Sequence, residues 1–291
     1  MKLCGIEAGG TKFVLGIGDE NGNILIRESI PTLDPETTLE AVSRFILKHR
    51  PDAVGIASFG PVDLNPDSPT YGEITSTPKP HWANTPILRY LSSRYDVPYG
   101  FDTDVNAAAV GESLWGNGRG VDSLLYLTVG TGIGGGLVIN GQTVHGLLHP
   151  EMGHILLQPY PGETFLGVCP FHKGCFEGLA SGPAIERRWG TPAANLSFDH
   201  PAWDLQAFYI GQALMSYILT VSPQRIILGG GVMHQEQLFP KIRGRVKTLL
   251  NGYLQHPSIL KQRDDYIMAP GLGDDAGLCG ALALAMRALE R

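Results

Sequence analysis

Residues 123–146 read SLLYLTVGTGIGGGLVINGQTVHG, and the reading of the glycine cluster in the middle decides the fold. A glycine-rich turn after an apolar strand invites comparison with a dinucleotide-binding fingerprint, but that fingerprint must open a helix. Here LVINGQTV follows, an apolar run broken by Asn-Gly, which reads as a strand and a hairpin turn. The stretch is therefore strand, glycine turn, strand, tight turn, strand. The same order stands near the N-terminus, in KLCGIEAGGTKFVLGIGDENGNILIRESI (residues 2–30). Its GGTK lacks the spacing of a Walker loop. IEAGGTKFVLGI (6–17) and LTVGTGIGGGLVI (127–139) occupy matching places. This indicates an internal duplication, with two lobes that each open on a β-ribbon with a phosphate-facing turn.

Helices and further strands fill the intervals. DPETTLEAVSRFILKHR (34–50) has Asp34 as a cap, Pro35 in the first turn and Leu39, Val42, Phe45 and Ile46 on one face. AVGIASFG (53–60) is a buried strand, VPYGFD (97–102) a short strand and VNAAAVGESLW (105–115) a helix. In the second half DLQAFYIGQALMSYILTVS (204–222) is a helix and QRIILGGGV (224–232) a strand running into a third glycine turn. DDAGLCGALALAMRALER (274–291) is a terminal helix capped by Asp274. The fold class is α/β with mixed sheets. The lobe boundary is placed in WGNGRG (115–120), giving residues 1–117 joined by the helix 274–291, and residues 118–273.

Composition narrows the function. A net charge of −6 with no basic cluster argues against nucleic acid as a partner. No apolar run reaches the roughly 20 residues of a membrane span, and the N-terminus lacks a signal-peptide pattern, so a cytoplasmic protein is expected. Glycines gathered at three strand ends let backbone N–H groups approach a ligand, which points to a shared phosphate or nucleotide cleft. In DTDVN (102–106) the chain leaves a strand, and a carboxylate there suits a general base. Asp104 is also well placed to cap the helix that follows.

Four cysteines are too few for a disulfide framework. Cys4 and Cys279 sit in apolar runs and read as core residues. Cys169 and Cys175 instead flank His172 within seven residues, the spacing of a short metal-binding knuckle. Two thiolates and imidazoles suit tetrahedral zinc. The fourth ligand should be an upstream histidine, with His154, His149 and His145 open. Glu163, in the middle of the loop, reads as a solvated surface residue.

The chain resembles the ROK sugar kinases (repressor, open reading frame, kinase) within the actin-like ATPase superfamily. The segments that carry the resemblance are EAGGTK (7–12), GPVD (60–63), DTDVNAAAVGE (102–112), VGTGIGGG (129–136), HPEMGH (149–154), CPFHKGCFEGLASG (169–182) and LGGGV (228–232). They follow the family's order over nearly the whole chain. TPKPHW (77–82) and the Cys-x-x-His-x-x-Cys form look most like the bacterial fructokinase branch.

The resemblance implies a two-lobed, ribonuclease H-like fold with a nucleotide cleft between the lobes. It implies ATP-dependent transfer of phosphate to D-fructose, giving fructose 6-phosphate. Glucokinase, mannokinase or an inactive sugar-binding protein are the alternatives. The family's repressors carry a helix-turn-helix ahead of the first phosphate strand, which here begins at residue 2 or 3. Gly9, Gly10, Thr11 and Lys12 are assigned to one phosphate loop and Gly130, Thr131, Gly132 and Gly134 to the other. Gly229, Gly230 and Gly231 are assigned to the adenosine, and Asp104 to the base. Gly60, Asn106, Glu151, His154 and Glu177 are assigned to the sugar. His154 joins Cys169, His172 and Cys175 as the structural zinc set. The family's usual aspartate at position 7 is Glu7 here, assigned to magnesium. The asparagine usual before the base is Thr103. A homodimer is implied by the resemblance alone.

Overall fold

The computed structural model describes residues 1–290. β1 (Leu3–Ala8) and β2 (Lys12–Gly18) form the first antiparallel ribbon, with Ala8 opposite Phe13, and β3 (Ile24–Pro31) pairs antiparallel with β2. α1 (Pro35–His49) starts where the Asp34 carboxylate accepts a hydrogen bond from Thr37 N at 2.9 Å. It returns the chain to β4 (Ala53–Ser58), parallel to β1 and buried throughout, as a strand covered on both faces must be. After α2 (Ile87–Ser92), β5 (Tyr99–Thr103) adds parallel to β4 and runs directly into α3 (Asp104–Trp115). The first sheet has the order β3-β2-β1-β4-β5.

The second half repeats the plan. β6 (Ser123–Val129) leads through the glycine turn into β7 (Ile133–Ile139). Asn140 and Gly141, both at positive φ (50° and 76°), make the two-residue turn to β8 (Gln142–Thr143). The chain continues through α4 (Phe176–Ala180), α5 (Gly182–Trp189) and α6 (Ala202–Val221) to β9 (Arg225–Gly229). Then come α7 (Leu238–Leu250), α8 (Pro257–Leu260), β10 (Ile267–Met268) and α9 (Ala276–Leu289). β9 is parallel to β6 and β10 to β9. The second sheet, read β8-β7-β6-β9-β10, has the strand order of the first. The duplication inferred from the two glycine ribbons is present in the topology.

The chain divides into two compact units. One comprises Met1–Gly120, Gly136–Pro150 and the chain from Gly271 onward; the other comprises Val121–Gly135 and Glu151–Pro270. Residues 136–150, expected with the second lobe, group with the first unit.

Within the first unit, alternation along β1 separates two layers. Cys4, Ile6 and Ala8 face a core with Phe13, Leu39, Phe45 and Trp82. Leu3 faces Leu282 and Ala285 of α9. On that side Gly16, Gly5, Gly55 and Gly100 stand in register across four strands. α9 lies on this row so closely that a Cβ at Gly55 would fall 1.9 Å from the Ala281 carbonyl oxygen, and one at Gly100 2.3 Å from that of Leu284. The approach to α9 is fixed by Glu112, a fully buried carboxylate on α3. It accepts hydrogen bonds from the backbone N–H groups of Asn117 (2.7 Å), Gly271 (3.0 Å) and Leu272 (2.9 Å). Asp275, not Asp274, stands at the N-cap of α9. A short turn over Gly273–Asp275 precedes the helix, and the Asp275 side chain, which makes no cap hydrogen bond, is paired with Arg27 at 3.3 Å.

Gly55→Ala should therefore destabilise the protein by about 1–3 kcal/mol or more, because overpacking meets backbone rather than a movable side chain. Urea unfolding followed by circular dichroism measures this; a midpoint equal to wild type would contradict the packing described.

Candidate active site

In the first unit, Gly9, Gly10, Thr11 and Lys12 form the β1–β2 turn. Gly9 N donates to Lys12 O at 3.1 Å, and Gly10, Thr11 and Lys12 are exposed. Thr32 holds the turn from outside, its hydroxyl donating to Gly9 O at 2.7 Å and its N–H to Thr11 O at 3.0 Å. Glu7 lies on β1 just before the turn. Burial, then the charge of Asp104, push its carboxyl up to about 7, against the opposing pull of Lys12 and Arg27.

The β5–α3 junction carries the other carboxylates. Thr103, in extended backbone, is the N-cap of α3, and its hydroxyl accepts from Asn106 N at 3.1 Å. The capping role open to Asp104 is thus filled by its neighbour. Asp104 accepts one hydrogen bond, from Val105 N at 2.9 Å, and burial pushes its carboxyl up to about 6.

Asp102, nearly fully buried, is surrounded by donors: Thr103 N (2.8 Å), Asn106 Nδ2 (2.7 Å), Thr143 Oγ1 (3.0 Å) and His145 Nε2 (3.0 Å). The hydrogen bond to Asp102 raises the pKa of His145. Asn106, assigned to the sugar, has its amide N–H committed to Asp102, and its buried Oδ1 has no protein partner. His149 accepts from Val62 N through Nε2 at 3.1 Å, and burial lowers its pKa. Gly60 lies beside this ring.

Two of the histidines considered as zinc ligands are therefore engaged elsewhere, His145 on Asp102 and His149 on Val62. Sequence reading had no signal for the Asp102–His145 pair, whose members are 43 residues apart.

In the second unit, Gly130, Thr131 and Gly132 make the β6–β7 turn, and Gly134 is the second residue of β7. The turn is closed by Gly130 N donating to Gly132 O at 2.9 Å and held by Gly182 N donating to Gly130 O at 2.7 Å. Glu177 Oε2 accepts from Ile133 N at 2.9 Å. Gly229 ends β9, and Gly230 and Gly231 follow it. Gly230 has φ +87°, and a Cβ there would meet Thr128 Oγ1 and Val129 O at 2.6 Å. Glu151 is exposed and opens the turn over Met152–His154, where its carbonyl accepts from His154 N at 3.0 Å.

His154, Cys169, His172 and Cys175 converge, with all ligand atoms within 4.8 Å of one another. Sγ of Cys169 is 3.8 Å from Nδ1 of both His154 and His172, and Sγ of Cys175 is 3.6 Å from Nδ1 of His154. A tetrahedral ion at ordinary Zn–S and Zn–N bond lengths separates its donors by about 3.4–3.8 Å. The donor set therefore fits a metal ion. Backbone N–H groups of His172 and Gly178 point at the two sulfurs (3.5 and 3.4 Å). Cys4 and Cys279 are core residues, as expected. Glu163 is not a solvated surface group. It pairs at 3.1 Å with Arg188, which is itself buried against Phe165 with its guanidinium 4.2 Å from the ring centre.

A sequence profile of the ROK family matches residues 3–288. The chain belongs to the ROK family. It is similar to a fructokinase from Pediococcus pentosaceus, 45% identical over 290 residues that cover 100% of this chain and 99% of that one. A fructokinase from Streptococcus mutans is 44% identical over 297 residues, with the same coverage of 100% and 99%. Among solved structures, a ROK hexokinase from Thermus thermophilus matches with a TM-score of 0.80 and 29% identity over 100% of this chain and 99% of its own. The α/β fold with two mixed sheets is thus the ROK kinase fold, and a magnesium-dependent ATP chemistry goes with the family. Among the described residues no helix is long and apolar enough to cross a membrane.

The four-residue cluster should hold about one transition-metal ion per chain. Cys175→Ala should retain less than a tenth of that on purification; elemental analysis of the variant showing full occupancy would remove Cys175 from the ligand set.

Proposed function

We propose that this ROK protein is an ATP-dependent fructokinase that phosphorylates D-fructose to fructose 6-phosphate. The observation that carries the chemistry is Asp104: a carboxylate at a strand-to-helix junction, relieved of capping by Thr103, with its pKa raised to about 6 by burial. A base poised near the working pH is what proton abstraction from a sugar hydroxyl requires. In the reaction Asp104 accepts the proton of the terminal hydroxyl while that oxygen bonds to the γ-phosphorus and ADP leaves. Phosphoryl transfer asks little else of the protein beyond positioning and charge.

The two glycine turns supply backbone N–H donors to the phosphates, Lys12 a charge, and Gly229, Gly230 and Gly231 space for the adenosine. Magnesium, when bound with ATP, neutralises charge on the β- and γ-phosphates. The buried Glu7, held partly protonated beside the charge of Asp104, is a residue a cation would relieve, and we assign it to that ion.

Glu151, Glu177 and His154 hold the sugar, with carboxylates accepting from its hydroxyls. The metal at His154, Cys169, His172 and Cys175 is zinc. With four protein ligands the site is closed, so its role is structural. It fixes the backbone on either side of Glu151 and Glu177. Asn106 acts by ordering the junction around Asp102, and Gly60 leaves room for the substrate beside His149.

ADP release with Mg-ATP should be fastest with fructose among fructose, mannose, glucose, N-acetylglucosamine and N-acetylmannosamine. Preference for another hexose would keep the mechanism and replace the substrate. Asp104→Asn should lower kcat by about 10²–10⁴-fold while ATP still binds. In the wild-type enzyme kcat/KM should fall as pH drops through about 6, because Asp104 works only as the carboxylate. A profile flat to pH 5, or near-normal turnover of the variant, would exclude Asp104 as the base.

A further inference from the structure

Glu177 does something that a sugar ligand need not do. Its Oε2 accepts the N–H of Ile133, the first residue of β7, at 2.9 Å. A Cβ at Gly132 would lie 2.8 Å from the same oxygen, so the β6–β7 turn closes around the carboxylate. The turn is tied a second time by the Gly182 N–H to Gly130 O at 2.7 Å. Both ties come from the six residues 177–182. That segment is rigid for local reasons. Cys175 is the N-cap of α4, its Sγ accepting from Gly178 N at 3.4 Å and its carbonyl from Leu179 N at 3.0 Å. Ser181 then caps α5 through Ala184 N at 3.4 Å.

A carboxylate beside an anion-binding turn repels phosphate unless a donor offsets it, so its presence calls for a role other than phosphate contact. The Ile133 N–H is such a donor, and by accepting it Glu177 fixes the conformation in which the remaining N–H groups of the turn are displayed. We infer that Glu177 is a positioning residue for the nucleotide, its Oε2 bracing the phosphate turn while Oε1 serves the sugar. The affinities for the two substrates are then coupled through one side chain. This rests on the reading of residues 130–134 as a phosphate turn and of Glu177 as a sugar ligand. Coupling of this kind is reciprocal.

The test is calorimetric binding of a magnesium complex of a non-hydrolysable ATP analogue in the absence of sugar, with thermal melts confirming that each variant is folded. Glu177→Ala removes the brace and should weaken the nucleotide about 10-fold or more. Glu177→Gln keeps a carbonyl oxygen for Ile133 N and should restore nucleotide affinity to within about 3-fold of wild type, while fructose binding stays weakened. In the reverse direction, Gly132→Ala pushes on Oε2 and should weaken fructose measured without nucleotide. If wild type binds the analogue and Glu177→Ala binds it equally well, the bracing role is overturned and the kinase reading stands. If wild type does not bind it, the phosphate-turn reading falls and this inference with it. Unchanged fructose affinity in Gly132→Ala also overturns the coupling, and does so without relying on a Glu177 variant.

Discussion

The contact between α9 and the glycine row of the first sheet constrains everything in that unit. Four strands give up side chains in register so that α9, rich in alanine and leucine, can lie on them. Close packing of this kind leaves no slack, because backbone atoms cannot rotate aside. Glu112, in the last turn of α3, ties the segment ahead of α9 to that helix by accepting three backbone N–H groups, which gives a buried carboxylate its partners. The next consequence falls on Glu7. A Cβ at Gly277 would stand 2.3 Å from Glu7 Oε1, so α9 leaves room for the Glu7 side chain as it is placed.

The carboxylates near the β5–α3 junction show how environment divides one chemistry into several jobs. Asp102 is surrounded by donors from four residues and serves as an anchor for Asn106, Thr143 and His145. Asp104, two residues on, has one backbone donor and a raised pKa. Glu7 is raised further by burial and by the charge of Asp104. A fully hydrogen-bonded anchor next to two carboxylates whose pKa values are raised is the pattern expected where acid–base work and cation binding share a region.

What could be read in the sequence was local. The glycine ribbons were legible because a turn, its flanking strands and the Asn-Gly hairpin lie within about 25 residues, and each constrains the backbone by itself. Cys169, His172 and Cys175 were legible for the same reason, since soft ligands at knuckle spacing have few other uses. Spacing alone left the fourth ligand open among three histidines; the family resemblance pointed to His154, and the structure engages His145 with Asp102 and His149 with Val62. Contacts made across long separations left no periodic signal: Glu177 with Ile133, Asp102 with His145, Glu163 with Arg188. Which residue stands at a helix N-cap was not legible either at the β5–α3 junction, where it is Thr103, or at α9, where it is Asp275. Several adjacent side chains can accept from the same N–H groups, and tertiary partners decide which one does, as Arg27 does for Asp275.

The duplication makes this long-range part informative. Both halves have the same strand order and the same glycine ribbon, yet they brace their turns differently. The first turn is held by Thr32, a neutral hydroxyl and N–H delivered by the chain just past β3 of its own ribbon. Nothing that binds elsewhere needs to move for that brace to work. The second turn is held by a carboxylate side chain and a backbone N–H from a segment more than 40 residues away, which begins just after Cys175 of the His-Cys cluster. A hydroxyl brace is insensitive to its surroundings, whereas a carboxylate brace changes whenever its second oxygen gains or loses a donor. Of two turns built to one plan, only the second depends on a carboxylate, so only its brace is sensitive to what that carboxylate's other oxygen meets.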